Sequence, residues 1–229
     1  MDIFFRDINI KTYKETEAIF HDSGKRALRL RDKCDVDAKL DKDNVNVIVA
    51  KPLLDSQRVD ELLSGYEGSR CIWIYRDYKD VAASNLKRFG EKNGHRDMSY
   101  IMKKDEEDWR AENVSVESME FINKHYSADS SNIDAAAMFW YVRNRIFFDK
   151  NLQEDGRVML CKYEDLVSRP GTVVQKIYRS LGVSEFDARI VSGVHAKSVS
   201  KGANVGLSAG VNDMCHELMR KMDKLYRVE

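Results

Sequence analysis

Residues 72–84, Ile72-Trp73-Ile74-Tyr75-Arg76-Asp77-Tyr78-Lys79-Asp80-Val81-Ala82-Ala83-Ser84, decide how this chain is read. An apolar, β-prone run stops at an arginine, a charged turn follows, and a helical pattern carries a serine eight residues after the arginine. In α/β folds the carboxyl ends of buried strands are where ligands bind. A guanidinium there grips phosphate through two parallel hydrogen bonds. A serine near the positive end of the following helix can add a hydroxyl to the same anion. The residues also allow a plainer arrangement, in which Arg76 does no more than pair with Asp77 or Asp80 at a strand end.

Working outward, residues 44–50 (NVNVIVA), 70–75 (RCIWIY) and 157–162 (RVMLCK) read as short buried strands bounded by polar or glycine punctuation. Near-continuous apolarity fits parallel strands covered on both faces. Helical patterns separate them at 55–64, 80–89, 116–126 and 134–152, with later ones from Pro170 to a stop at Gly182 and over 211–226. This alternation predicts an α/β fold, a three-layer parallel sheet with flanking helices. A single domain over 1–229 is expected, with 1–43 only loosely assigned. Trp140, Phe139, Phe147 and Phe148 read as core. The charge-rich stretch 103–112 reads as a solvated helix or lid.

The chain has 229 residues, 43% hydrophobic and 33% charged, with a formal net charge of zero. No global field draws it to nucleic acid or an anionic membrane, so any anion site must be local. No apolar run nears the roughly 20 residues of a membrane span, and the N-terminus lacks the layout of a signal peptide. Cys34, Cys71, Cys161 and Cys215 are scattered, with no CxxC pair. No metal site is expected, and a reducing cytoplasm is the expected compartment.

The Arg76…Ser84 spacing resembles the 3′-phosphate-binding segment of the sulfotransferases. Those enzymes move a sulfuryl group from 3′-phosphoadenosine 5′-phosphosulfate (PAPS) to an acceptor hydroxyl or amine. Two further segments agree in order. Val158-Met159-Leu160-Cys161-Lys162-Tyr163-Glu164-Asp165-Leu166, followed by Pro170 and Leu181-Gly182, is similar to the family's strand ending in YEDL. The resemblance places Tyr163 near the adenine. Ser198-Val199-Ser200-Lys201-Gly202 resembles the family's Arg-Lys-Gly segment, which closes over the 3′-phosphate. Lys201 and Gly202 match it, while Ser200 replaces the arginine, which implies weaker nucleotide binding. The resemblance thus implies Arg76, Ser84, Tyr163, Lys201 and Gly202 as nucleotide-binding residues, and PAPS as co-substrate without a metal.

Val49-Ala50-Lys51-Pro52-Leu53 resembles a strand-end segment of the family in which a lysine precedes a histidine by two residues. Lys51 matches and would face the reaction centre. Leu53 stands where small-molecule sulfotransferases carry their base. Some branches place a glutamate after the first helix instead, which makes Glu15 and Glu17 the nearest candidates, with His21 behind them. His195 lies near the Lys201 turn, although a lone histidine there is more often structural.

The family's first strand and its 5′-phosphosulfate loop find no counterpart in the sequence, so the start is expected to be truncated. His21-Asp22-Ser23-Gly24-Lys25 lacks the first glycine of a phosphate loop. The expected function is sulfuryl transfer to a hydroxylated small molecule, lipid or glycan, impaired if the loop is absent. The alternatives are a non-catalytic nucleotide-binding module of the same fold, and a P-loop-type kinase, against which the missing Walker sequence argues.

Overall fold

The computed structural model describes residues 3–14, 17–22, 28–105, 107–183 and 186–226. Along the chain run β1 (Ile10–Tyr13), β2 (Phe20–Asp22), β3 (Leu28–Leu30), α1 (Lys33–Leu40), β4 (Val47–Ala50), α2 (Val59–Gly65) and β5 (Cys71–Tyr75). Next come α3 (Tyr78–Phe89), α4 (Asn93–Met102), α5 (Val116–His125) and α6 (Asn132–Asp149). The chain continues with β6 (Val158–Lys162), α7 (Tyr163–Ser168), α8 (Pro170–Ser180) and α9 (Ala209–Leu225). The architecture is α/β, with parallel strand pairs and flanking helices.

The three apolar runs read as strands from the sequence are β4, β5 and β6. β5 pairs with β6 in parallel, from Cys71 opposite Val158 to Tyr75 opposite Lys162. Parallel strands end on the same side, so Arg76 and Tyr163, the next residue of each, emerge side by side. The crossover between the two strands contains α3 to α6. The longest of these, α6, buries Ala135, Ala136, Ala137, Met138, Trp140 and Tyr141 against α3, α4 and α9. Small residues let backbones approach: a Cβ at Gly94 would lie 2.5 Å from the Ala136 backbone nitrogen. Ser115 and Ser131 cap α5 and α6 by accepting backbone N–H groups of Ser118 and Asp134, each cap being worth about 1 kcal/mol. Trp140 and Phe147 are buried as read, with Phe139 and Phe148 packed against the core.

The N-terminal segment holds more structure than the sequence suggested. β1 pairs in parallel with β4, Ile10 opposite Val47 through Tyr13 opposite Ala50. Its four residues, IKTY, are too short and too mixed in polarity to stand out, and only Ile10 and Tyr13 are buried. The partner is far along the chain, so the strand exists through a non-local ladder rather than local pattern. β2 and β3 pair antiparallel. A strand therefore does lead into Ser23-Gly24-Lys25, and the next described element is another strand, β3. Residues 23–27 and Glu15 lie outside the described residues.

The stretch 103–112 also departs from expectation. Its described residues form no helix, and they are not merely solvated. Trp109 packs edge-on to Phe139 at 5.8 Å between centroids, with the guanidinium of Arg143 5.1 Å from its ring. Arg110 bonds Asp97 at 2.6 Å and reaches Asp108 at 3.2 Å, and both carboxylates are buried. Fully buried Gln57 donates to the Trp109 carbonyl and accepts from Arg143 at 2.7 Å. Arg29 pairs with buried Asp55 at 3.2 Å and with Glu112. Arg29 of β3 thus bridges Asp55 to Glu112, and Arg110 ties its loop to Asp97 of α4, so these buried charges are paired, as buried charges must be.

Candidate functional site

Arg76 sits at the carboxyl end of β5, and Asp77 caps α3 by accepting the N–H groups of Lys79 at 2.9 Å and Asp80 at 3.0 Å. The cap stops the strand and aims the first turn of α3 beneath the guanidinium. Arg76 Nη2 donates to Asp80 Oδ2 at 3.1 Å and to the Ser198 carbonyl. The plainer arrangement considered above is thus present: Arg76 is paired with Asp80. It is not sealed, because its side chain is 19% exposed whereas that of Asp80 is 2% exposed. A guanidinium offers five N–H donors, and the two named bonds both use Nη2. Nε is buried and has no hydrogen-bond partner.

Tyr163, first residue after β6, lies under the arginine, with the guanidinium carbon 4.6 Å from the ring centroid. Its hydroxyl is 2.6 Å from Ser198 Oγ. Glu164 Oε1 accepts the Asp77 N–H at 3.0 Å and so ties the start of α7 to the turn after β5. The 198–202 segment closes the other side. Asp80 Oδ2 accepts the N–H of Ser200 at 2.8 Å, and Oδ1 that of Gly202 at 2.6 Å. Gly202 is buried where a Cβ would overlap the backbone of Lys79 and Asp80, so no other residue fits. Ser200 adopts φ +63°, a left-handed conformation uncommon for a residue with a side chain. Lys201 is exposed on this segment. Trp140 Nε1 donates to the Arg76 carbonyl at 3.0 Å, anchoring the strand end to α6.

Of the residues read as nucleotide-binding, the structure joins Arg76 and Tyr163 with the segment bearing Lys201 and Gly202. Ser84 is exposed, four residues beyond Asp80 on α3 and so on the same helix face, and among the described residues it is not joined to Arg76. Sequence reading offered Asp80 only as a pairing partner of Arg76 and gave Ser198 and Glu164 no role. Asp80 had a local signal, its place one turn after Arg76, but Ser198 enters only through the tertiary fold. His195 is exposed and joins none of these contacts.

Lys51 and Glu17 lie elsewhere, at the carboxyl ends of the β1–β4 pair. The Lys51 N–H donates to the Tyr13 carbonyl at 3.0 Å, which continues the ladder by one residue. Glu17 is exposed, and its carboxylate accepts the Lys14 N–H at 2.5 Å. Leu53 is 46% exposed beside Lys51. His21 is half-buried in β2. At the strand ends β5 and β6, Asp223 of α9 accepts from the Tyr75 hydroxyl at 2.8 Å and from Lys162 at 2.7 Å. Burial first, and then Asp223, push the Tyr75 phenol far upward.

A partly exposed guanidinium over a tyrosine, at the carboxyl ends of paired parallel strands, occupies the place where α/β folds in general bind their ligands. The sulfotransferase domain family matches residues 67–209, more than half of the chain and the whole of this constellation, and the chain belongs to that family. Among solved structures it is similar to the sulfotransferase domain of the Synechococcus PCC 7002 olefin synthase, at 16% identity and TM-score 0.53 over 85% of this chain and 64% of that one. The sulfotransferase domain of the curacin biosynthetic pathway aligns at 15% identity and TM-score 0.48, over 85% of this chain and 68% of that one. No curated protein matches the sequence at a significant level. Family membership implies a sulfonate donor and small-molecule acceptors in general. Among the described residues no helix is long and apolar enough to cross a membrane.

Proposed function

We propose that this protein binds the adenosine 3′-phosphate end of PAPS at Arg76 and transfers the sulfuryl group to a hydroxylated acceptor, a small molecule, lipid or glycan. One observation carries the reading. Three segments selected from sequence as nucleotide-binding, at 76, 163 and 198–202, converge through hydrogen bonds and ring contact although up to 122 residues separate them. The Arg76 side chain is 19% exposed and its two named bonds both use Nη2, so donor capacity remains on the guanidinium for a phosphate that takes a place beside Asp80. Lys201 adds a cation and Ser84 a hydroxyl, while Tyr163 offers a face to the adenine.

Sulfuryl transfer needs the nucleophile, sulfur and leaving oxygen in line, with charge on the leaving phosphate neutralised. In this reading Lys51 supplies that positive charge, and Glu17, after the adjacent strand end, takes the acceptor proton. The cytoplasm is the compartment, in keeping with four free thiols. A non-catalytic nucleotide-binding role is the second reading. It is favoured by the course of the chain after β1, which enters the β2–β3 pair where a phosphosulfate loop and helix would be needed.

Titration calorimetry with 3′,5′-adenosine bisphosphate and with ATP tests the nucleotide assignment. Preference for the bisphosphate is expected, and tight ATP binding without that preference overturns it. Transfer of labelled sulfate from PAPS to phenols, sugars and lipids then separates the two readings.

A further inference from the structure

Asp80 is the most connected group of the site, and it belongs to neither the strand end nor the closing segment. Its carboxylate is 2% exposed, yet it receives three hydrogen bonds, one from Arg76 a turn earlier and two from a single segment 120 and 122 residues on. Arg76 reaches Oδ2 at 3.1 Å, the Ser200 N–H reaches the same oxygen at 2.8 Å, and the Gly202 N–H reaches Oδ1 at 2.6 Å. Each oxygen holds one backbone donor of the 198–202 segment. Ionised carboxylates accept such bonds more strongly than neutral oxygens do.

The bonds fall on a segment that cannot hold this shape by itself. It belongs to no helix or strand, and Ser200 sits at φ +63°. Left-handed backbone at a residue with a side chain persists only where the surroundings enforce it. Here the enforcement comes from the Asp80 carboxylate on one side and the close seat of Gly202 against Lys79 and Asp80 on the other. The same carboxylate takes one of the Arg76 Nη2 donors and holds the guanidinium in place, with Nη1 outside both named bonds.

Building on the nucleotide assignment above, we infer that Asp80 is a positioning residue that sets the affinity for a 3′-phosphate without touching it. It fixes the Lys201 segment and the Arg76 fork to the first turn of α3 as one preformed cradle. Removing its charge frees the segment and lets the fork rotate, so the loss falls on the 3′-phosphate and not on the adenosine. Asp80→Asn is the direct variant. It keeps the shape, but its amide nitrogen meets an N–H donor where a carboxylate oxygen had accepted one. Gly202→Ala unseats the segment without altering any charge and serves where Asp80→Asn does not fold.

The test is a pair of titrations, with 3′,5′-adenosine bisphosphate and with 5′-AMP, well below the melting temperature of each variant, beside tryptic cleavage after Lys201. Expected for either variant is at least a tenfold loss of bisphosphate affinity, a smaller loss for 5′-AMP, and faster cleavage that the bisphosphate no longer suppresses. Equal losses for both ligands would show a merely structural role and overturn the inference. So would folded variants that bind the bisphosphate as the wild type does. Wild-type protein that binds no bisphosphate overturns the nucleotide assignment itself, an outcome read before any variant is made.

Discussion

The guanidinium of Arg76 lies 4.6 Å from the ring centroid of Tyr163, and each residue is the first beyond its strand in the β5–β6 pair. The stacking follows from register: Tyr75 opposite Lys162 puts the next two side chains at the same edge. Stacking on an aromatic face suits a planar guanidinium and leaves its edge free for a phosphate.

Arg76→Lys keeps the charge and loses both the planar fork and the stacking. Its affinity for 3′,5′-adenosine bisphosphate is expected to fall about tenfold or more, equivalent to about 1.4 kcal/mol. Calorimetry measures this directly, and an unchanged dissociation constant contradicts the role given to Arg76.

Tyr163→Phe removes the 2.6 Å contact with Ser198 and retains the ring beneath Arg76. One such bond contributes about 1 kcal/mol. Bisphosphate affinity should therefore drop only a few-fold, with Tyr163→Ala costing clearly more because the ring also goes. Equal effects of the two variants would assign the contribution to the hydroxyl alone.

Lys51→Ala is expected to lower turnover about a hundredfold, as the loss of one charge-stabilising donor does, while bisphosphate binding stays as in the wild type. Glu17→Gln is expected to lower turnover by about a hundredfold as well and to flatten the acid limb of the pH–rate profile. Stopped assays across pH with PAPS and an accepted hydroxyl compound check both. A retained acid limb in Glu17→Gln moves the base elsewhere.

Thiol reactivity reports on the packing around the strands. Burial pushes the Cys71 and Cys161 thiols up to about 12, and Cys215 is buried and shifted the same way. Cys34 is exposed. Ellman's reagent at neutral pH should modify Cys34 quickly and the other three only after denaturation, because thiolate is the reacting form. Fast labelling of Cys161 would place β6 outside the core.

Alkaline unfolding follows from two phenols. Burial, then the hydrogen bond to Asp43, raise Tyr13 to about 12, and burial raises Tyr78 to about 12. Both have ordinary values near 10.0. A folded value above the unfolded one means stability fully present below about pH 10. It is lost as pH rises through 12. Tyrosinate absorbance and circular dichroism should change together in that window. Ionisation of every tyrosine near its ordinary value, with the fold intact, counts against the burial of these two rings.

Strands 47–50, 71–75 and 158–162 were legible because continuous apolar runs bounded by turns carry a local signal, and α2, α3, α5, α6, α8 and α9 through their helical patterns, whereas α1, α4 and α7 were not read. β1 was not, since IKTY is defined by its ladder with β4 and not by its own pattern. The 103–112 stretch misled for a related reason. Its charges look solvated in sequence, and only the fold brings Arg110 to Asp97 and Trp109 to Phe139.

The sequence by itself determined the α/β order and the arginine at the strand end, because strand propensity, caps and residue chemistry are local properties, while the segments at 163 and 198–202 were marked by resemblance to the family. Tertiary structure alone decided that Arg76 shares its donors between Asp80 and the Ser198 carbonyl, and that Asp80 holds Ser200 and Gly202 from 120 and 122 residues away. Those contacts depend on how α3, β6 and the 198–202 segment pack, and the geometry of a hydrogen bond across such a distance is written in no local pattern.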